Sequence, residues 1–377
     1  MKVYLDNAAT TPIDPLVFEA MIPVLKDGFG NPSSTHSHGR KVKSVIERAR
    51  KNVARHLNCS PGEIFFTSGG TEADNMAIQS SVRDLGVKHI ITSSIEHHAV
   101  GHTIDQLKRE GLVEVTYVHL DEMGHVDLQH LDQILSISPK TLVSLMHANN
   151  EVGNLLSLER VSEICEKHGA VFHSDTVQTM AHYRFDMEVI DKVHFMACSA
   201  HKFHGPKGVG FLYVNSKVKI NPLIHGGAQE RNMRGGTENV YGIVGLSMAM
   251  DVALSDVNAH KEYITGLKLH MIERLNQSIP NVSYNADSEH LTRSLYTVLS
   301  VSLPPTDIAS MLVFNMDIMG VACSGGSACT SGASTGSHVL QGIDAPEARP
   351  TIRFSFSRFN TKEEVDYAVD CLVELYS

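Results

Sequence analysis

Short apolar runs alternate with helical patterns between residues 64 and 214, and this alternation restricts the fold more than any other feature. Runs typical of buried strands, each followed by a helical pattern or a turn, begin at Ile64, His89, Val113, Leu142 and Ala170. Strands and helices that alternate at this spacing form βαβ units, which build a mostly parallel sheet. The sequence therefore predicts an α/β fold with ligands at the carboxyl ends of its strands.

Polar residues follow several of the strand-like runs directly. They fall at residues 69–71, His97, residues 149–151, Asp175 with Gln178, and residues 199–202. Because the carboxyl ends of neighbouring parallel strands meet at one edge of a sheet, we expect these residues to converge on a single crevice.

Lys202 lies on a glycine-rich turn between two apolar runs, residues 193–197 and 209–214. A lysine in such a place is partly desolvated, and desolvation favours the free amine that can form a Schiff base with an aldehyde cofactor. A surface lysine in a glycine-rich hairpin is the alternative. The polar residues at the other strand ends favour the first interpretation.

Residues 68–75 predict a turn from a strand into a helix that can bind an anion. Gly69 and Gly70 expose backbone N–H groups, Thr71 is a candidate N-cap, and the start of a helix carries partial positive charge. A phosphate fits this turn, although an ordinary capped turn has the same pattern. The chain has no GxGxxG motif and no Walker lysine here, so a dinucleotide or a nucleoside triphosphate matches poorly.

Together these residue types match the needs of pyridoxal phosphate. Lys202 can take the aldehyde, while Thr71 and Ser199 can donate hydrogen bonds to the phosphate. His97 can stack on the pyridine ring. A carboxylate such as Asp175 beside the pyridine nitrogen favours the protonated ring, which then accepts electrons from the substrate Cα. Taken singly, Asp175 could be a helix cap and His97 a surface residue.

The rest of the chain predicts a second, smaller unit. Residues 224–239 form a long polar loop, which is typical of a functional segment or an interface. Residues 241–275 are then predicted to be largely helical, and a second helix is predicted from Pro304 to about Met319. The last helix begins with a capping box at Thr361. We predict a large cofactor-binding domain over residues 14–245, and a small domain made of residues 1–13 and 246–377. Residues 4–12 are either a frayed end or a segment that folds back to line the site.

Cys329 lies in a run of glycine, serine, threonine and alanine that spans residues 324–336. Such residues bury little surface, so the sequence predicts a mobile, exposed loop and an accessible thiol that can act as a nucleophile. A bystander thiol on a flexible loop is the alternative. Cys323 adjoins the apolar residues 319–322 and is interpreted as structural.

Composition narrows the classes of function. The chain of 377 residues has 32 lysines and arginines against 42 aspartates and glutamates, a net charge of −10, which argues against nucleic-acid and anionic-membrane surfaces. No apolar run reaches the length of a membrane span and no signal-peptide pattern opens the chain, so we expect a cytoplasmic protein. The 6 cysteines form no CxxC pair and the 22 histidines form no clear ligand cluster, so no metal site is predicted.

Several motifs resemble those of the cysteine desulfurases of the NifS and IscS type, enzymes with the class-V aminotransferase fold and pyridoxal phosphate. They lie at residues 4–12, 69–75, 96–97, 149–153, 173–178, 199–202, 233–237 and 326–332. The sequence Ser327-Ala-Cys329 in a long loop points to the NifS-like rather than the SufS-like group. The resemblance implies fold type I of the PLP-dependent transferases, with a mixed, mostly parallel sheet and a smaller C-terminal α/β domain.

The resemblance also implies roles for the cofactor-binding residues. Lys202 would hold pyridoxal phosphate, and His97 would stack on it as part of the catalytic set. Asp175 and Gln178 would contact the pyridine nitrogen and the ring oxygen. The phosphate would be bound by small and polar residues, namely Gly70, Thr71, Ser199, His201 and, from the second subunit of a homodimer, Thr237. Gly70 stands where relatives often have alanine.

By the same resemblance, the reaction would convert L-cysteine to L-alanine. Asn150 and Arg353 would hold the substrate carboxylate, Lys202 would remove the Cα proton, and Cys329 would take the sulfur as a persulfide. A sulfur-acceptor protein, either an iron–sulfur scaffold or a carrier for tRNA thiolation, would receive it. A selenocysteine lyase or another β-eliminating lyase on this fold remains an alternative, in which Cys329 would be dispensable. A non-enzymatic sulfur-transfer scaffold is the other.

Overall fold

The structure, a computed structural model, describes residues 1–325 and 336–377. Its strands are β1 (Val3–Tyr4), β2 (Ile64–Thr67), β3 (His89–Thr92), β4 (Glu114–Tyr117), β5 (Thr141–Ser144), β6 (Val171–Asp175), β7 (Phe195–Ser199), β8 (Gly210–Val214), β9 (Ser283–Tyr284), β10 (Val298–Ser302), β11 (Val321–Ala322), β12 (Ser324–Gly325) and β13 (Thr351–Ser355). Its α-helices are α1 (Pro15–Asp27), α2 (Ser37–His56), α3 (Gly70–Arg83), α4 (His98–Arg109), α5 (Leu128–Ile137), α6 (Leu158–Lys167), α7 (Val240–Ser255), α8 (Val257–Ser278), α9 (Leu312–Ile318), α10 (His338–Gly342) and α11 (Lys362–Tyr376).

A seven-stranded sheet in the order β2-β8-β7-β6-β5-β3-β4 carries the predicted alternation. Strands β3 to β7 pair in parallel, whereas β8 is antiparallel to both of its neighbours, β2 and β7. The prediction of a mostly parallel α/β sheet is confirmed. Every strand except β8 therefore ends at the same edge of the sheet, and that edge is where the polar residues accumulate.

Helices cover both faces of this sheet, which explains why every strand residue is buried except in the edge strand β4. Successive side chains of a strand point to opposite faces. Phe65 packs into a core formed with α3 and α4, whereas the next residue, Phe66, packs with α2 and α7 on the other face. The sheet is thereby held rigidly, and the loops at its carboxyl edge are fixed relative to one another.

A four-stranded sheet in the order β12-β13-β10-β9 is the centre of a second core, which it shares with α8, α9 and α11. Strand β1 pairs in parallel with β11, and the Ser355 amide on β13 donates to the Leu5 carbonyl at 2.8 Å. The start of the chain is thus tied to this second sheet. The domain division at residues 13/14 and 245/246 stays a prediction.

Two predicted helices differ from those observed. The helical pattern near residues 241–275 is broken at Asp256, where φ is −142° and ψ is 55°, and the Asp256 side chain caps α8 by accepting from the Ala259 amide. The pattern at residues 304–319 forms α9 only from Leu312, after a short 3₁₀ turn.

No single helix in residues 1–325 and 336–377 is long and apolar enough to cross a membrane. Helices α7 and α8 meet that criterion only as a pair, and the pair is bent by 76°. Apolar residues of α7, including Ile243, Leu246 and Met250, are buried in the core beside α2.

Candidate active site

The carboxyl edge of the seven-stranded sheet opens into a cavity of about 320 Å³. Ten of the predicted site residues line it, namely Gly70, Thr71, His97, Asn150, Asp175, Gln178, Ser199, His201, Lys202 and Arg353. The structure thus places residues from strands far apart in the sequence around one space. A larger cavity of about 520 Å³ between α1, α2 and α7 contains none of the predicted site residues.

Of the other two predicted site residues, the structure describes only one, Thr237. Thr237 lines a separate cavity of about 210 Å³ with Thr67 and Ser68, and Cys329 lies outside the described residues. Cys323, between β11 and β12, is half-buried, and desolvation raises the pKa of its thiol to about 12. A thiol in that state is a poor nucleophile, which agrees with the structural role predicted for Cys323.

Lys202 sits on a 3₁₀ turn immediately after β7, between the two buried strands that the sequence predicted. Its Nζ donates to the carbonyl oxygens of Ala8 at 2.6 Å and Ala9 at 3.0 Å. The Gln178 amide also donates to the Ala8 carbonyl, at 3.0 Å. Residues 4–12 therefore fold back to line the site, the second of the two possibilities for this segment, and Ala8 and Ala9 contribute backbone carbonyls to it.

The start of α3, where the sequence predicts an anion site, lines the cavity, but its cap differs from the predicted one. Thr71 was predicted as the N-cap, which is wrong, because the helix begins at Gly70 and its N-cap is Gly69, at φ 151°. Glycine tolerates this backbone conformation, and it has no side chain to cap the first turn. A Cβ added to Gly70 would lie 2.5 Å from Val177 Cγ2, so alanine would require Val177 to move. The N-terminus of α3 is therefore open to an anion in the cavity.

Asp175 ends β6 and is only 6% exposed. One carboxylate oxygen accepts from the Val177 amide at 2.9 Å. Burial raises the pKa of Asp175, while His97, the Val177 amide and Lys202 each oppose that shift by stabilising the ionised form. A buried carboxylate in this position suits a partner that carries a proton.

Two further buried carboxyl groups, Asp74 and Glu96, accompany Asp175. Asp74 lines the cavity and is 1% exposed, and burial together with the charges of Asp175 and Glu96 raises its pKa. His173 Nε2 lies 3.3 Å from Asp74 Oδ1 without hydrogen-bond alignment, and burial lowers the pKa of His173 to about 3, so the pair is not ionic. These surroundings favour the neutral form of Asp74 beside the site.

Glu96 precedes α4 and accepts from the Ser93 hydroxyl at 2.8 Å and the Met146 amide at 3.0 Å, both on Oε1. Oε2 has no hydrogen-bond partner in the described part of the chain. Burial raises the pKa of Glu96 to about 8, from an ordinary value of 4.5. Between these two values the unfolded chain has released a proton that the folded protein still holds. Because Glu96 ionises in the unfolded chain before it ionises in the folded protein, its contribution to the free energy of unfolding should fall progressively as the pH rises through this window.

We expect the Glu96→Gln variant to lose part of this pH dependence. From pH 5 to pH 8 the free energy of unfolding of the variant should rise relative to that of the wild type by about 1 kcal/mol per pH unit, since one pKa unit corresponds to about 1.4 kcal/mol. Urea unfolding at several pH values measures this. Exposed Glu122 supplies the control, as Glu122→Gln should follow the wild-type curve. Parallel curves for Glu96→Gln and the wild type would contradict the assignment.

Two histidines of the cavity are neutral. His97 caps α4, with its Nδ1 accepting from the Ala99 amide at 3.1 Å, and burial lowers its pKa. His201 Nδ1 lies 3.1 Å from the Thr10 hydroxyl, and burial together with Lys202 lowers its pKa to about 4. A neutral, oriented imidazole at His97 can lie against an aromatic ring without adding positive charge.

The second sheet contributes Arg353, on β13, to the lining of the cavity. Arg353 is 2% exposed, and one of its terminal nitrogens donates to the Asn150 carbonyl at 2.9 Å. The turn that carries Asn150 is fixed by Asn149, whose side chain accepts from the amides of Glu151 and Val152. A guanidinium held in this way can bind a carboxylate through two parallel hydrogen bonds.

Comparison with known proteins identifies the family of this chain. Residues 3–368 match the model of the family described as Aminotransferase class-V. Cysteine desulfurase IscS of Dictyoglomus turgidum is 42% identical over 375 residues, which cover 98% of this chain and 93% of that protein.

Two solved structures resemble the whole fold. One, named NifS-like protein, is 37% identical with a TM-score of 0.90, and the match covers 100% of this chain and 99% of that one. The other, described as SspA in complex with cysteine, is 31% identical with a TM-score of 0.81 over 95% of this chain and 100% of that one. The chain belongs to the aminotransferase class-V family, among the cysteine desulfurases of the IscS and NifS kind.

Proposed function

We propose that this protein is a pyridoxal-phosphate-dependent cysteine desulfurase, which converts L-cysteine to L-alanine and transfers the sulfur to Cys329 as a persulfide. The observation that carries the proposal is the single cavity that combines Lys202, Asp175, His97 and Arg353. Relatives named cysteine desulfurase and a structural relative described in complex with cysteine support it. The sulfur would supply the synthesis of iron–sulfur clusters, thio-cofactors or modified tRNA.

The residues of the cavity fit pyridoxal phosphate. An amine is present at Lys202, a buried carboxylate at Asp175, and an open helix N-terminus with the Thr71 and Ser199 hydroxyls nearby. The absence of a Cβ at Gly70 leaves room against Val177. When bound, the cofactor supplies an aldehyde that links to amines and a ring that withdraws electrons from the substrate Cα.

The side chains of the cavity would divide the remaining work. Arg353, together with Asn150, would bind the α-carboxylate of L-cysteine and so place the Cα hydrogen toward Lys202. The Lys202 amine would accept the Cα proton and return a proton when alanine forms. Asp175 would keep a proton on the ring nitrogen, and the neutral imidazole of His97 would lie against the ring and be available for proton transfer.

Cys329 is proposed as the sulfur acceptor on the sequence alone. Its thiolate would attack the substrate sulfur, so that a sulfur–sulfur bond forms while the bond between sulfur and Cβ breaks. The electron pair of the broken bond would go to Cβ, which takes a proton to complete alanine. No external oxidant or reductant is needed, because the sulfur is transferred without net oxidation of the protein and substrate together.

A second copy of the chain is part of the proposal, because Thr237 lies away from the cavity of its own subunit. The loop before Thr237 is anchored by Glu230, which accepts from both terminal nitrogens of Arg50 at 2.7 Å and from the Phe66 amide at 2.8 Å. A loop held so firmly could present Thr237 to the phosphate site of a partner subunit. The sulfur-acceptor protein would bind this homodimer.

An assay of alanine release tests the function. The purified protein with pyridoxal phosphate should release alanine from L-cysteine in the presence of a thiol reductant, which removes the sulfur from Cys329 as sulfide. Release from L-selenocysteine alone would favour the selenocysteine lyase instead. No alanine from either amino acid would contradict the enzymatic proposal.

A further inference from the structure

Arg353 is held from two sides. One terminal nitrogen donates to the Asn150 carbonyl at 2.9 Å, and the other donates to Asp6 Oδ1, also at 2.9 Å. Its Nε has no hydrogen-bond partner in residues 1–325 and 336–377, although the side chain is buried. Buried donors are normally satisfied, so the guanidinium is oriented by Asp6 and Asn150 and keeps donor capacity for a ligand.

Backbone pairing fixes the place of Asp6. The Leu5 amide donates to the Ala322 carbonyl at 2.9 Å, and Asp6 itself forms a parallel bridge with Ser355 on β13. This pairing brings the Asp6 carboxylate next to Arg353, which is two residues before Ser355 on the same strand. The Asp6 carboxylate therefore does not depend on a flexible segment for its position.

The same carboxylate oxygen has a second donor. Ser324 Oγ donates to Asp6 Oδ1 at 2.8 Å, and Ser324 is paired directly opposite Arg353 in the antiparallel ladder of β12 and β13. Asp6 Oδ1 is thus shared by two neighbouring residues of one sheet. The donors on β12 and β13 hold the Asp6 carboxylate beside the guanidinium that lines the cavity.

We propose that Asp6 is a positioning residue, which orients the Arg353 guanidinium for the α-carboxylate of the amino-acid substrate. The inference rests on the proposed function, because it names the partner of Arg353 in that reaction. Bidentate binding requires the guanidinium plane to match the carboxylate plane, and a long arginine side chain reaches that geometry only when its other edge is held. Asp6 holds that edge.

Two effects of Asp6 oppose each other, and their balance sets the expected result. The negative charge of Asp6 weakens the attraction of Arg353 for a second carboxylate, whereas the hydrogen bond pre-organises the guanidinium. Because the arginine is 2% exposed, water cannot readily replace Asp6 when its side chain is removed. Orientation should dominate in the Asp6→Ala variant. The Asp6→Asn variant keeps an acceptor oxygen and should retain most of the wild-type binding.

The experiment compares two amines that differ only in the carboxylate, L-alanine and ethylamine. Each is titrated into the protein loaded with pyridoxal phosphate, and the change in cofactor absorbance gives an apparent Kd at equilibrium. We expect Asp6→Ala to weaken L-alanine binding about tenfold, in line with the loss of one charged hydrogen bond, and to leave ethylamine binding unchanged. Asp6→Asn should stay within about threefold of the wild type for both amines.

Asp84→Ala provides the matched control, because Asp84 pairs with Arg83 at 2.7 Å and does not line the cavity. That variant should bind both amines like the wild type. An equal ratio of L-alanine to ethylamine affinity in Asp6→Ala and in the wild type would overturn the role of Asp6, while the proposed function would stand. If wild-type absorbance responds to neither amine, the proposed function fails, and the role of Asp6 fails with it.

Discussion

Replacement of Lys202 by alanine is expected to abolish the covalent attachment of the cofactor and to lower alanine release by at least about 10³-fold. The reason is geometric, because Nζ is the amine that the β7 turn and the carbonyls of Ala8 and Ala9 direct into the cavity. The variant loses both the amine that links to the aldehyde and the base that accepts the Cα proton. Alanine release under saturating L-cysteine measures the second effect.

Borohydride reduction followed by mass spectrometry measures the first effect. Wild-type protein should carry the reduced cofactor on the peptide that contains Lys202, and Lys202→Ala should carry none. Lys207 supplies the control, since it is exposed on the same turn and does not line the cavity. Lys207→Ala should keep the linkage and the activity. A reduced adduct on another lysine would show that the wrong amine was assigned.

Replacement of Cys329 by serine should have the second large effect, a loss of alanine release on the order of 10³-fold with the cofactor still bound. A hydroxyl is a far weaker nucleophile than a thiolate and cannot store sulfur as a persulfide. The variant should still change the cofactor absorbance when L-cysteine is added, because Arg353, Asp175 and Lys202 are intact. Alanine release and absorbance on the same sample separate catalysis from binding.

Cys323→Ser is the matched control for this variant. Cys323 is half-buried, and desolvation raises the pKa of its thiol to about 12, so little thiolate forms near neutral pH. We expect Cys323→Ser to release alanine at close to the wild-type rate. Loss of activity in Cys323→Ser together with full activity in Cys329→Ser would reverse the assignment of the two thiols.

The sequence predicted the sheet and most of the cavity, because strand periodicity and polar strand ends are local signals. Asp175 and Lys202 each follow an apolar run closely, and the parallel sheet brings such positions together without further information. The same reasoning predicted that Ser199 and His97 lie in this crevice, and both line the cavity. Arg353 came only from resemblance, since a lone arginine in a strand has no local pattern that marks it.

Other features of the site could not be derived in this way. Asp74 lies within α3, where an acidic residue normally indicates a solvent-facing helix side, and its burial depends on the strands behind it. Ala8 and Ala9 contribute carbonyl oxygens, which no side-chain pattern reveals. The N-cap is Gly69 rather than the predicted Thr71. Gly69 has a positive φ and packs closely against Gly210 of β8, a tertiary contact that the local sequence does not reveal.

The position of the added sulfur atom shows which thiol accepts sulfur from L-cysteine. The holoprotein is incubated with L-cysteine, alkylated without reduction and digested, and the peptide that contains residues 323 and 329 is fragmented in the mass spectrometer. We predict one added sulfur atom on Cys329 and none on Cys323. Alanine release without sulfur on Cys329, or sulfur found only on Cys323, would contradict it.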